Sequence, residues 1–308
     1  MALTARPKNE ATVVITTKNR KEDLLNAIVS ALAQTVRPEV IVMDDGSTDG
    51  TAEFILAKFP EIRLERSEHS LGYIRQRNRA ARLASHPILF SIDDDAVFSS
   101  PLVVEQTLRE FDHPRVGAVA IPFVDVNKSP EIHHRAPSAE GVYAGYAYIG
   151  TAHALRRDLF LRLSGYREIL FHQSEEEDYC IRLLNAGYVT RYGCADPVHH
   201  FESPRRSWTR MDYYGARNKV LYACHNVPMP NLAVHLTATT FFTSIYARSP
   251  ARFVTRLRGV AGAYSQIGLG RIRRQPVARS VYRLSRELKR RGAVRLDEIE
   301  SRLPQPAF

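Results

Sequence analysis

Cysteine and tryptophan are scarce in this 308-residue chain, which holds three Cys and one Trp. Cys180, Cys194 and Cys224 lie far apart with no C-x-x-C pair, so the common zinc and dithiol motifs are excluded, leaving buried thiols of a reducing compartment. Long apolar runs are missing as well. The most apolar late stretch, 232–247, is interrupted by His235 and several threonines and is short for a bilayer crossing, so no transmembrane helix is expected. The N-terminal MALTARPKNEATVV lacks the apolar core of a secretory leader, and cytoplasmic residence is the expectation. There is no internal repeat and no low-complexity tract. With 44% hydrophobic and 25% charged residues, the composition is that of a folded globular chain and not of a disordered one.

What is abundant is arginine, and it is unevenly placed. The net charge of +10 gathers in the last third, where Arg252, Arg256, Arg258, Arg271, Arg273, Arg274, Arg279, Arg283, Arg286, Arg290 and Arg291 follow one another. A cluster of this kind needs either an anionic partner or a solvated helix face. Taken together, residues 232–246 and 252–267 combine Phe, Leu, Ile and Tyr with the Arg of the second stretch, as do helices lying on an anionic membrane surface. Helices packed on the rest of the chain, or between subunits of an oligomer, give the same pattern. A nucleic-acid partner is not expected.

The first part of the chain alternates β-branched runs with helical patterns, which predicts parallel strands joined by crossover helices. Strands are expected at 12–17, 39–44, 62–66, 88–92 and 116–122, and helices at 21–34, 51–59, 73–84 and 102–110. The stretch 125–150, rich in His, Pro, Gly and Tyr, reads as irregular or antiparallel structure over a pocket. Helices at 157–163 and 178–186 and a strand at 188–193 follow, and from Arg210 onward the pattern is largely helical. The expected architecture is an α/β nucleotide-binding domain at 1–226, with a mostly parallel central sheet flanked by helices, and a basic helical region at 227–308.

Open sheets of this type bind ligands beyond the carboxyl ends of their strands, and three acidic motifs fall there or near there. The segment VIVMDDGSTDGT delivers Asp44 and Asp45 into a tight turn, able to accept hydrogen bonds from a nucleobase or ribose, with Ser47, Thr48 and Asp49 capping the next helix. The run ILFSIDDDAVFSSP ends an apolar strand in Asp93, Asp94 and Asp95. Like charges so close repel, which makes sense where a cation neutralises them, and hard oxygen ligands suit Mg2+ or Mn2+. In HQSEEEDYCIRLLNAGY, Glu175, Glu176, Glu177 and Asp178 open an amphipathic helix. Their charges meet the positive end of the helix dipole, and their crowding raises the proton affinity of at least one of them towards general-base work.

The order TTKNR, then DDGSTDGT, then DDD resembles the family 2 glycosyltransferases, inverting enzymes with the GT-A fold. The resemblance covers about the first two thirds of the chain. It implies a nucleotide-diphosphate sugar donor, a divalent metal (Mn2+ or Mg2+) and a glycan or lipid-linked acceptor, with a cell-envelope setting and at most peripheral attachment to the cytoplasmic membrane face. On this resemblance Asp45 contacts the base, Asp93 the ribose and Asp95 the metal, with Asp94 between them; Thr17, Asn19 and Arg20 of TTKNR belong to the donor site. SLGYIRQRNRAARLA is similar to the Gly-x-x-x-Arg-Asn region of the family, so Arg75 and Arg77 face the nucleotide or its diphosphate, where a guanidinium grips phosphate oxygens. Aligning the family's helical Arg with Arg182 puts the acid pair at Glu175 and Glu176, a following acid at Asp178, and the catalytic base at Glu176. A second register would choose Glu177 and Asp178. In DPVHHFESPRRSW, His199 and His200 resemble the histidine that completes metal coordination, with His200 preferred, and Arg217 of YYGARN is expected to reach the pyrophosphate.

Two other classes compete. Nucleotidyltransferases also combine a parallel sheet with metal-binding acids, but they carry a Gly-rich phosphate loop that VVITTKNRKED lacks. A non-catalytic module docking through its basic region would leave the acids at 175–178 without a purpose.

Overall fold

The structure, a computed structural model, describes residues 10–202, 207–245 and 249–308. The first nine residues, 203–206 of the His-His segment, and Tyr246 at the end of one expected basic helix lie outside the described residues, as does Arg248.

Strand β1 (Ala11–Thr17) is β-branched almost throughout and buried along its whole length, as a strand covered on both faces must be. Helix α1 (Lys21–Leu32) carries the chain to β2 (Glu39–Asp44), and α2 (Thr51–Lys58) to β3 (Arg63–Arg66). Helix α3 (Tyr73–Leu83) then returns it to β4 (Ile88–Asp93), which lies on the other side of β1. All pairings among β3, β2, β1 and β4 are parallel. Because the chain leaves β1 in one direction and comes back on its other side, a crevice opens at the carboxyl ends of β1 and β4. Register puts the motifs at one level there, with Thr17 opposite Asp44 and Thr16 opposite Asp93.

Short β5 (Ala96–Phe98) and α4 (Val103–Arg109) precede β6 (Val116–Ala120) and β7 (Phe123–Asp125), and β8 (Tyr143–Gly145) and β9 (His153–Arg156) follow. Strand β9 runs antiparallel between β4 and β6. Helices α5 (Arg157–Arg162) and α6 (Glu175–Asn185) lead to β10 (Val189–Tyr192), which is parallel to β6. The sheet is thus parallel where the crevice lies and mixed beyond it. Strand β11 (Val198–His200) sits between β5 and β7 in a separate small sheet over the same end.

One face of the main sheet packs Val13, Ile15 and Val42 against Leu24 and Ile28 of α1, while the other packs Val14, Ile41 and Met43 towards α3, α5 and α6. Each such buried Val or Ile contributes about 1.5–3 kcal/mol relative to exposure.

The basic region is woven into this body. After α7 (Trp208–Asn226), α8 (Asn231–Ile245) and α9 (Pro250–Gly268), helix α10 (Arg279–Arg291) packs Val281, Leu284 and Leu288 into a core with Ile181 and Leu184 of α6. Strand β12 (Val294–Arg295) then joins the main sheet beside β8, and α11 (Leu296–Ile299) closes that core. Among the described residues, no helix is long and apolar enough to cross a membrane.

Candidate functional site

A cleft of about 560 Å³ opens at the carboxyl ends of β1 and β4, and the distant acidic motifs meet on its wall: Asp45, the triplet Asp93–Asp95, and Glu175 with Glu176. Thr17, Arg20, Arg77 and His200 line it too.

At the triplet, each carboxylate has a different environment. Asp94 accepts hydrogen bonds from Thr17 Oγ1 (2.8 Å) and Arg20 Nη1 (2.9 Å). Burial and the charges of Asp95 and Asp93 nevertheless push it up to about 7, against the pull of Arg20. Asp95 is also buried, but His200 and Arg20 outweigh that and hold it at about 2. Asp93 accepts from Arg77 Nη2 at 2.7 Å.

His200 reaches the triplet because β11 pairs with β5, placing His200 opposite Ala96. Its Nδ1 is bonded to Asp125 Oδ1 (2.5 Å) on β7, and its Nε2 stands 3.4 Å from Asp95 Oδ1. Burial alone would lower the affinity of this imidazole for a proton, yet Asp95 and Asp125 raise it above the ordinary value. Among the described residues Nε2 is buried without a hydrogen-bond partner, and ligand atoms of Asp93, Asp95 and His200 all lie within 4.8 Å of one another. Two carboxylates and one imidazole with an unsatisfied nitrogen fit a divalent cation such as Mn2+, and Asp125 orients the ring as carboxylates do behind metal-bound histidines. His199, its neighbour in the extended strand, is not among the cleft-lining residues.

Across the cleft, a loop with left-handed residues at Phe171, Gln173 and Ser174 feeds α6. Asn218 Nδ2 clamps it through the carbonyls of Leu170, His172 and Gln173, and Arg217 Nη1 donates to Ile169 O (2.9 Å). Arg217 therefore supports the loop and does not line the cleft. Glu175 is fully buried, accepting from Tyr73 OH (3.1 Å) and Arg77 Nη1 (3.2 Å). Burial, with the charge of Glu176, drives its carboxyl well above the ordinary range. Glu176 is half-buried and faces the cleft. Its carboxyl is raised by burial against the opposing influence of its own backbone N–H and of Arg77. Among the described residues, its carboxylate takes no part in the side-chain hydrogen bonds that tie down Glu175. Gly150 lies against it, where a Cβ would meet both Arg77 Nη1 and Glu176 Oε1 at 2.9 Å.

Asp178 points away, into the body. It accepts from Arg167 Nη1, Arg182 Nε (3.0 Å) and Asn226 Nδ2 (2.8 Å), and Arg182 and Arg167 overcome its burial to hold its pKa below the ordinary range. One helical turn separates it from Glu175, and the two sit in different surroundings. Arg75 pairs with Glu168 (3.1 Å) at the surface. Asn19 latches the end of β1 to the turn after β2, its N–H donating to Ser47 Oγ (2.9 Å) and its Oδ1 accepting from Thr48 N (2.7 Å). Asp45 lines the cleft while accepting from Leu71 N (2.7 Å), Gly72 N (3.0 Å) and Gln76 Nε2 (2.7 Å), so it also fixes the turn that opens α3.

Sequence reasoning passed over Asp125, Tyr73, Lys18 and Arg210. The last two add positive charge to the cleft wall. Asp125 was hidden because β7 and β11 are only three residues each, too short to show alternation.

The fold is that of GT-A glycosyltransferases: the chain superposes on the mannosyltransferase PcManGT from Pyrobaculum calidifontis in complex with GDP-Man and Mn2+ (TM-score 0.59, 18% identity, 92% of this chain and 84% of that one). It also superposes on S. aureus TarS 1-349 in complex with UDP (TM-score 0.53, 14% identity, 83% and 71%). A match to glycosyl transferase family 2 spans residues 12–167, and the chain belongs to that family. Among curated relatives, it is 31% identical over 136 residues to the succinoglycan biosynthesis protein ExoU of Rhizobium meliloti (strain 1021), covering 43% of this chain and 39% of that protein. It is 36% identical over 132 residues to the validoxylamine A glucosyltransferase of Streptomyces hygroscopicus subsp. limoneus, covering 39% and 29%. The matches thus span well under half of these relatives' own length.

Proposed function

We propose that this glycosyltransferase moves a hexosyl or deoxyhexosyl group from a nucleotide-diphosphate sugar to an acceptor hydroxyl, with inversion, in the synthesis of a cell-envelope glycan or glycolipid. The observation that carries this reading is the meeting of the Asp93–Asp95–His200 cluster and the raised carboxylate of Glu176 on one cleft. The printed function of the succinoglycan relative supports the glycan setting.

Asp93, Asp95 and His200 would hold a divalent metal, whose chemistry there is to stabilise the charge of a departing diphosphate. Arg20, bridging Asp94 and Asp95, and Lys18 bring fixed positive charge to the same wall, and Asp45 keeps the 70–72 turn in place on the cleft. Glu176 takes the proton of the acceptor hydroxyl as its oxygen attacks the anomeric carbon. The bond from that carbon to the diphosphate oxygen breaks in the same step, and the nucleoside diphosphate leaves from the opposite face. A carboxylate with raised proton affinity suits this task near neutral pH. Glu175 and Arg77 act by holding the start of α6 against the triplet.

A release assay over a panel of nucleotide-sugars, with Mn2+ and with chelator, tests the reading. Release of a nucleoside diphosphate from one donor class, dependent on the metal, is expected. Equal release in chelator, or none from any donor by folded protein, would contradict it.

A further inference from the structure

From Tyr213 to Arg286 the chain contains no Asp or Glu, while Arg recurs from Arg248 onward. This acid-free stretch includes α8 and α9, which touch through the Tyr264 and Thr240 hydroxyls (2.8 Å) and through Arg256 Nη1 donating to Thr243 O. Both pack their inner sides on α7, where Gly259 lies against Tyr213 and Asp212 pairs with Arg252 and Arg256. Their outer sides expose apolar side chains to solvent. Phe241 is 59% exposed, and Phe242, Ile245, Val254, Leu257 and Tyr264 are each at least two fifths exposed. Arg258 stands exposed within the same stripe, and Arg271 and Arg273 stand exposed just beyond its end.

Soluble proteins seldom leave aromatic and aliphatic side chains in contiguous patches unless something covers them. Here the surrounding charge identifies the cover, because an apolar stripe with exposed arginines in and just after α9, and no Asp or Glu on α8 or α9 themselves, matches phospholipid headgroups above acyl chains. Position adds to the argument. Ser207, Arg210 and Met211, at the start of α7, line the cleft, and Trp208 beside them is 58% exposed with Arg252 of α9 stacked 4.9 Å from its ring. The stripe and the cleft mouth are therefore linked by one cation–π pair, and indole rings favour the headgroup level.

We propose that the outer surface of α8 and α9 docks this protein on an anionic phospholipid bilayer, presenting the cleft mouth to acceptors held in that membrane. The docking itself is independent of the reaction; its consequence for the acceptor rests on the function proposed above.

The full chain is to be sedimented with vesicles of phosphatidylcholine alone and of phosphatidylcholine mixed with phosphatidylglycerol, at low and high salt. Binding to the mixed vesicles only, weakened by salt, is expected. Phe241→Glu with Leu257→Glu should lower it by about tenfold or more, since each removed apolar side chain is worth over a kcal/mol and 1.4 kcal/mol is tenfold. Arg258→Gln with Arg271→Gln should lower it less and reduce its salt dependence. Circular dichroism checks that the variants remain folded, and donor hydrolysis, expected to be unchanged, separates loss of docking from loss of catalysis. Absence of binding to either vesicle, binding indifferent to lipid charge, or binding that survives the Glu substitutions in folded protein would overturn the proposal. So would a dimer of the free chain that the same substitutions dissociate, which would make the stripe an interface between copies.

Discussion

Glu176 and Asp178 are two positions apart on one helix and have opposite electrostatic fates. Burial among other carboxylates raises the first, whereas two arginines and Asn226 hold the second ionised in the interior. The consequences are separable. Removing Asp178 by Asp178→Ala leaves Arg167 and Arg182 buried without their partner, which should cost about 3–5 kcal/mol of stability, read as a lower midpoint in urea. In the proposed role of base, Glu176 acts in its ionised form. Since its folded pKa lies above the ordinary carboxylate value, kcat should fall with decreasing pH already above the range of a normal Glu, and in Glu176→Asp that limb should shift. A kcat flat down to ordinary carboxylate pH would exclude it as the base. At this scale the sequence singled out acids that meet on the cleft wall, because adjacent acids at strand ends have few structural uses. It did not disclose which of the candidate arginines face the cleft: Arg75 and Arg217 resemble phosphate contacts in sequence, and only the tertiary packing turns the first to the surface and the second to the 169–173 loop.

Among elements, the parallel strands and their crossover helices were legible almost to the residue, since continuous β-branched runs and helical spacing are local signals. The expected strand at 12–17 is β1, and that at 39–44 is β2. The strands that complete the site were not legible. Strand β9 lies antiparallel in the middle of the sheet with the sequence His-Ala-Leu-Arg, and β5, β7 and β11 are held by pairing across long separations in sequence. The helix expected at 178–186 begins at Glu175, the acids themselves forming its first turn, where the dipole favours them. The packing of α7 on α9 depends on the absence of a side chain at one point. A Cβ at Gly259 would collide with the carbonyl oxygen of Tyr213, so Gly259→Ala should destabilise the protein by about 1–3 kcal/mol as the helices separate. Thermal unfolding would register this as a lower Tm, and an unchanged Tm would show that the two helices move apart freely.

In the whole molecule, the charge asymmetry of the chain becomes a separation in space. Acidic residues gather at the carboxyl ends of the sheet strands and at the start of α6, and the acid-free helices form an apolar and basic outer surface beside the same cleft. The C-terminal residues close the far edge of the sheet, with β12 on β8 and Leu303 in the core shared with α6. The central claim is that the cleft performs a single displacement with Glu176 as its base, and Glu176→Gln tests it most directly. The assay follows transfer from the active donor while nucleoside diphosphate binding with Mn2+ is measured in parallel. The account predicts that transfer falls by roughly 10²–10⁴-fold with nucleotide affinity preserved. Full transfer by the Gln variant would contradict it.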